Sequence, residues 1–156
     1  MDEFTPNNSF DKMDDLAQYG KSLNPLRQVF GKYVFEKSLI HFPSERGTGK
    51  TFFMMQLCLC VANEIKSFCN EQIELHGNTL YINCELSRDL MARRLAKLYD
   101  KPPVDLGSKK FESYIYTTRH SFANDRTYIV EKINQLKPVL VILDNWKTAY
   151  QDIDNN

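Results

Sequence analysis

Apolar residues fall into short runs and longer amphipathic or apolar segments, separated by polar, turn-forming stretches. Residues 38–42 (SLIHF) form a short apolar run closed by Pro43, the shape of a buried strand ending in a loop. Residues 51–69 (TFFMMQLCLCVANEIKSFC) are too long for a strand and apolar nearly all round. They predict a helix packed between a sheet and other elements, starting at or near residues 49–51. A turn at 76–78 (HGN) leads to a second strand over 79–84, rich in strand formers. Ser87 then reads as the N-cap of a helix over 87–99, with Asp89 in its first turn and Leu90, Met91, Leu95 and Leu98 on one face.

A loop over 101–110 precedes a third strand at 111–118. Residues 124–137 then predict a helix carrying Ile129, Ile133 and Leu136, stopped by Pro138. The unbroken run VLVIL (139–143), ending at Asp144, predicts a strand buried on both faces. Strand and helix thus alternate four strands deep, which predicts an α/β fold with a mainly parallel sheet. Ahead of it, residues 24–37 hold Pro25 and Gly31 among aromatics and suggest a packed lead-in or a short hairpin. The first 22 residues show no sustained period and read as a flexible acidic arm, leaving 23–156 as the folded domain.

Composition narrows the class without naming it. With 156 residues, 42% of them hydrophobic, the chain can bury one core. Its 20 basic and 20 acidic residues cancel, so no net field advertises nucleic acid or an anionic membrane. The longest apolar stretch is far short of the ~20 residues that cross a bilayer, and the acidic N-terminus is unlike a secretory signal, so a cytoplasmic protein is expected. Cys58, Cys60, Cys69 and Cys84 lack paired metal-site spacing and are expected as buried, reduced thiols.

The chemistry concentrates where the pattern breaks. Residues 43–51 (PSERGTGKT) form a polar interruption between an apolar strand and an apolar helix. A glycine-containing loop before a helix N-terminus lets backbone N–H groups wrap a phosphate. Apart from Ser44 at its first position, the stretch follows the P-loop pattern G-x-x-x-x-G-K-[ST]. This makes Ser44, Glu45, Arg46, Gly47, Thr48, Gly49, Lys50, Thr51 and Phe52 the candidate nucleotide-binding residues. Lys50 would reach the β- and γ-phosphates, and Thr51 would ligate Mg²⁺. If position 44 required positive φ, serine would strain it. Asp144, at the C-terminal end of an apolar strand, fits the Walker B position in the Mg²⁺ shell. Glu85 lies just past the second strand, where a carboxylate can orient and deprotonate an attacking water.

SERGTGKT, LYINCELSRDLMARRLAKL and VLVILDN, in this order, resemble the ATPase core of RecA-like proteins. More narrowly, they resemble AAA-family ATPases of the RepA and replicative-helicase type found on bacterial mobile elements. The resemblance implies a RecA-like P-loop NTPase sheet with helices on both faces, ATP and Mg²⁺ as cofactors, and Glu85 as catalytic base alongside Lys50. Ser87 and Arg93 or Arg94 match a serine and an arginine that recur in the family's next helix. It also implies ATP hydrolysis tied to DNA replication or recombination, a DNA partner and a homo-oligomeric ring for the complete protein. RecA-like cores continue past the Walker B strand with further strands and a sensor residue, so a chain ending twelve residues beyond Asp144 is expected to be an N-terminal fragment with the C-terminal strands missing.

Two other readings stay open: a P-loop kinase acting on a small acceptor, and a non-catalytic nucleotide-binding remnant. The pairs Arg93–Arg94 and Lys109–Lys110 are too short to argue for direct DNA contact. Phe30, Tyr33 and Phe35 are expected to pack the lead-in rather than stack a base.

Overall fold

A computed structural model describes residues 12–45, 47–102, 105–107, 109–118 and 122–144. The elements are α1 (Met13–Ser22), β1 (Gln28–Phe30), β2 (Val34–Phe35), α2 (Lys50–Ala62), β3 (Ser67–Phe68), β4 (Glu71–Gln72), β5 (Thr79–Asn83), α3 (Arg88–Asp100), β6 (Ser113–Thr117), α4 (Phe122–Leu136) and β7 (Leu140–Asp144). Three strands form one parallel sheet in the order β6-β5-β7, and two antiparallel hairpins, β1-β2 and β3-β4, stand apart from it.

The central strand β5 is buried at all five positions, as its strand-forming sequence demands. Its side chains alternate between two cores. Tyr81 joins the larger core with Met55, Leu59, Met91, Leu98 and Leu140, between the sheet and α2 and α3. Leu80 and Ile82 face the smaller core built around Ile129 of α4. The chain steps from β5 to β6 in one direction and from β6 back across to β7 in the other. Crossovers of one hand running in opposite directions deliver their helices to opposite faces, so α3 and α4 cover different sides. The α/β fold with helices on both faces is therefore present, and it has the form of a P-loop NTPase.

Several expectations change. Residues 38–42 do not form a strand: Leu39 is 96% exposed, and Ile40 and Phe42 are each 46% exposed. An apolar run becomes a strand only where a neighbour's edge meets its backbone, and β7 pairs with β5 alone among the described residues. Phe42 is held instead by stacking on Phe53 of α2, with ring centroids 5.8 Å apart. Among the described residues β7 is thus an edge strand, and with Val141 41% exposed it is not buried on both faces.

The apolar helix stops at Ala62 rather than running to residue 69. Glu64 adopts φ 56°, and the Ile65 N–H donates to Cys60 O at 3.0 Å, which is a Schellman turn. Residues 67–72 then form the β3-β4 hairpin, with Cys69 and Asn70 at positive φ in its turn. Leu90 lies 51% exposed, off the buried face of α3 that Met91 and Leu98 define. Residues 13–22, where no period was evident, form α1; Asp14 and Asp15 at its start and Lys21 at its end suit the helix dipole, and it buries no side chain.

The lead-in does form a hairpin. Phe30 packs in the core against Phe53 and Phe68, while Tyr33 is half exposed. Among the described residues, no helix is long and apolar enough to cross a membrane.

Candidate functional site

The loop before α2 turns on two glycines, Gly47 at φ 81° and Gly49 at φ 86°. An added Cβ would meet nothing within 4 Å at either, so left-handed backbone, not crowding, calls for glycine there. Ser44 is not among the described positive-φ residues, so serine carries no strain at that position. The Thr48 hydroxyl donates to the Glu45 carbonyl at 2.9 Å and closes the turn. Ser44, Glu45, Gly47, Thr48 and Gly49 are all exposed; Arg46 lies outside the described residues.

Gly49 is the N-cap of α2 and brings no side chain to it, and the first turn holds no acidic residue. The first helical bond runs from the Phe53 N–H to Gly49 O at 3.0 Å. The N–H groups before it belong to a helix start with no side-chain acceptor, facing the loop, which is the arrangement that receives an anion. Phe52, half buried, lies under the Arg94 guanidinium, 5.6 Å from its ring centroid. Of the adjacent pair Arg93 and Arg94 in α3, Arg94 is thus the one brought to the start of α2, and Arg93 is exposed. Ser87 caps α3, accepting from the Leu90 N–H at 3.3 Å.

Asp144 draws the site together. It ends β7 at the carboxyl edge of the sheet, where α2 begins, and is 4% exposed. The Thr51 hydroxyl donates to its Oδ2 at 2.9 Å, across 93 residues of sequence. Lys50 Nζ lies 3.5 Å from its Oδ1, an ion pair too long for a good hydrogen bond. Oδ1 is shielded from solvent and accepts no hydrogen bond from the described residues. Lys50, Thr51 and Asp144, predicted separately, therefore meet in one cluster.

Two residues in it went unnoticed in the sequence. The phenol of Tyr81, 1% exposed, donates to Asp144 Oδ2 as well. Burial, then the hydrogen bond to Asp144 and its charge, push the Tyr81 pKa up, so the phenol remains a donor. Asn83, also 1% exposed, is paired in register with Asp144. Its Oδ1 accepts from the N–H groups of Glu85 at 3.3 Å and Leu86 at 3.0 Å, and its Nδ2 donates to Leu86 O at 2.6 Å. The Cys84 N–H donates to Asp144 O at 2.7 Å. These bonds set the turn that carries Glu85, an exposed side chain, at the same sheet edge as Asp144. The available signal was parity: in TLYIN, positions 79, 81 and 83 share a face, and an asparagine inside an apolar run has hydrogen bonds to make.

The donor set fits a magnesium ion. Asp144 Oδ1 is a buried oxygen lacking a donor, and the Thr51 hydroxyl, having donated its proton, keeps its lone pairs. No group of three or more metal-ligating side chains exists among the described residues. Mg²⁺ suits such a site, because it takes few protein ligands and fills the rest of its shell with water and phosphate oxygens. A cleft of about 520 Å³ lined by Arg88, Met91, Leu95, Tyr116 and Asp125 involves none of these residues.

Lys109 is engaged by Glu112 in an exposed ion pair, so the Lys109–Lys110 pair is not a free basic patch. Neither a curated protein nor a solved structure matches the chain. A family model does match, described as an AAA domain, and it spans residues 6–156. The chain belongs to the AAA domain family and is an AAA-type, P-loop ATPase-like domain.

Proposed function

We propose that this chain binds ATP with Mg²⁺ in the loop of residues 44–52 and forms the catalytic core of a RecA-like ATPase of the RepA and replicative-helicase type. The observation that carries the reading is the convergence of Lys50 and Thr51 with Asp144. In this reading the N-terminus of α2 and Lys50 bind the phosphates. Thr51 and Asp144 hold Mg²⁺, which supplies charge neutralisation for phosphoryl transfer. Glu85, presented by the Asn83 turn, is the general base toward water. Among the described residues the outer edge of β7 is free to pair with a further strand. Coupling to DNA and assembly into a ring belong to the same proposal.

The test is ATP affinity with and without Mg²⁺. Lys50→Ala is expected to weaken binding about ten- to a hundredfold, the loss of a charged hydrogen bond to phosphate. Unchanged affinity in that variant would sink the reading. Release of inorganic phosphate without an acceptor, abolished by Glu85→Gln with ATP binding retained, would identify hydrolysis rather than transfer to a small acceptor.

A further inference from the structure

Asp144 has two oxygens with unequal surroundings. Oδ2 accepts from both the Thr51 hydroxyl and the Tyr81 phenol, whereas Oδ1 accepts from none of the described residues and faces Lys50. Thr51 stands in the first turn of α2, beside the exposed loop; Tyr81 is buried inside the sheet. Its ring sits in the middle strand, paired in register with Ile142 and Ile115, and packs in the core under α2. A carboxylate held by one hydroxyl can swing about its terminal torsion. With a second, immobile donor it cannot turn without giving up a buried hydrogen bond, which costs about 1–3 kcal/mol.

The geometry points to Tyr81 as a positioning residue of the nucleotide site: its phenol commits Asp144 Oδ2 to protein donors and leaves Oδ1 as the oxygen presented to a divalent cation. This rests on the nucleotide-binding reading above. The Tyr81 hydroxyl touches neither nucleotide nor metal in this role. It sets which oxygen is available and in what orientation, as the outer hydrogen bonds of metal-ligating carboxylates do. It also keeps the Thr51 hydroxyl from being the carboxylate's sole support, so Thr51 can turn its lone pairs toward the cation while its proton stays on Oδ2.

Tyr81→Phe keeps the ring in the core and removes only the donor. ATP affinity is measured across a Mg²⁺ titration and again in EDTA, for the wild type, Tyr81→Phe and Lys50→Ala, with a thermal melt of each. The expected result for Tyr81→Phe is a half-saturating Mg²⁺ concentration raised about tenfold, with Mg²⁺-free ATP affinity within about twofold of wild type. A merely structural role would move both quantities together. Equal losses with and without Mg²⁺, or an unchanged Mg²⁺ titration, overturn the inference and leave the nucleotide-binding reading standing. Wild-type protein that binds ATP no better than Lys50→Ala overturns both.

Discussion

Asn83 shows how much one side chain can carry at this site. Its amide satisfies two N–H groups and one carbonyl in the turn after β5, and it is buried. Asn83→Ala leaves those groups without partners and is expected to cost about 2–3 kcal/mol, read as a shift in urea midpoint at unchanged slope. Lys50, Thr51 and Asp144 were legible in the sequence because each sits at a junction between an apolar run and a polar stretch. Tyr81 and Asn83 were not, because they lie inside an apolar strand and acquire their partners only on folding, Tyr81 from β7 and Asn83 from the turn after β5 and Thr117 of β6. The thiols divide in the same way. Cys58 and Cys60 are buried and their pKa values are pushed up to about 12, chiefly by burial, whereas Cys69 is exposed on the β3-β4 turn. A thiol reagent at pH 8 should therefore modify Cys69 rapidly and the buried pair about a thousandfold more slowly or less, since the reactive species is the thiolate.

At the scale of elements, the end of α2 was the least legible boundary. Apolar residues continue past Ala62, so the pattern predicted a longer helix. What ends it is a backbone motif: Glu64 in left-handed conformation, with Asn63 Nδ2 donating to Leu59 O at 2.9 Å. Glycine is the residue this position favours, and Glu64 is exposed. Glu64→Gly is expected to stabilise the protein by about 0.5–1 kcal/mol, seen as a higher melting temperature. The segment 38–42 erred in the other direction. Its composition is that of a strand, but Phe42 stacking on Phe53 fixes it beside α2 with Leu39 turned to solvent. Leu39→Ser should leave the urea midpoint unchanged, whereas Leu80→Ala, in the core facing α4, should cost about 2–5 kcal/mol.

For the whole molecule, the raised pKa values add up to a pH dependence of one sign. The Cys58 and Cys60 thiols at about 12, the Cys84 thiol at about 11 and the Tyr81 phenol all bind protons more tightly when folded than unfolded. For such groups stability is fully present below the ordinary thiol value of 9.0 and is lost as pH rises toward the folded values. Each thiol contributes at most about 1.4 kcal/mol per pH unit in that window. Urea unfolding at pH 8, 9.5 and 10.5 should show a midpoint falling across the last two, with a shallower fall in Cys58→Ala.

The sequence by itself determined the alternation of strands and helices, the apolar character of α2, and the identities of the lysine and threonine that open α2 and of the strand-end aspartate. These follow from local rules, since periodicity, capping and the glycines of a turn act within a few residues. Tertiary structure decided which runs became strands, because a strand exists only when another edge pairs with it. It also decided which oxygen of Asp144 is occupied, because Thr51 and Tyr81 reach that carboxylate from α2 and β5, and only the closed sheet brings them within hydrogen-bonding distance.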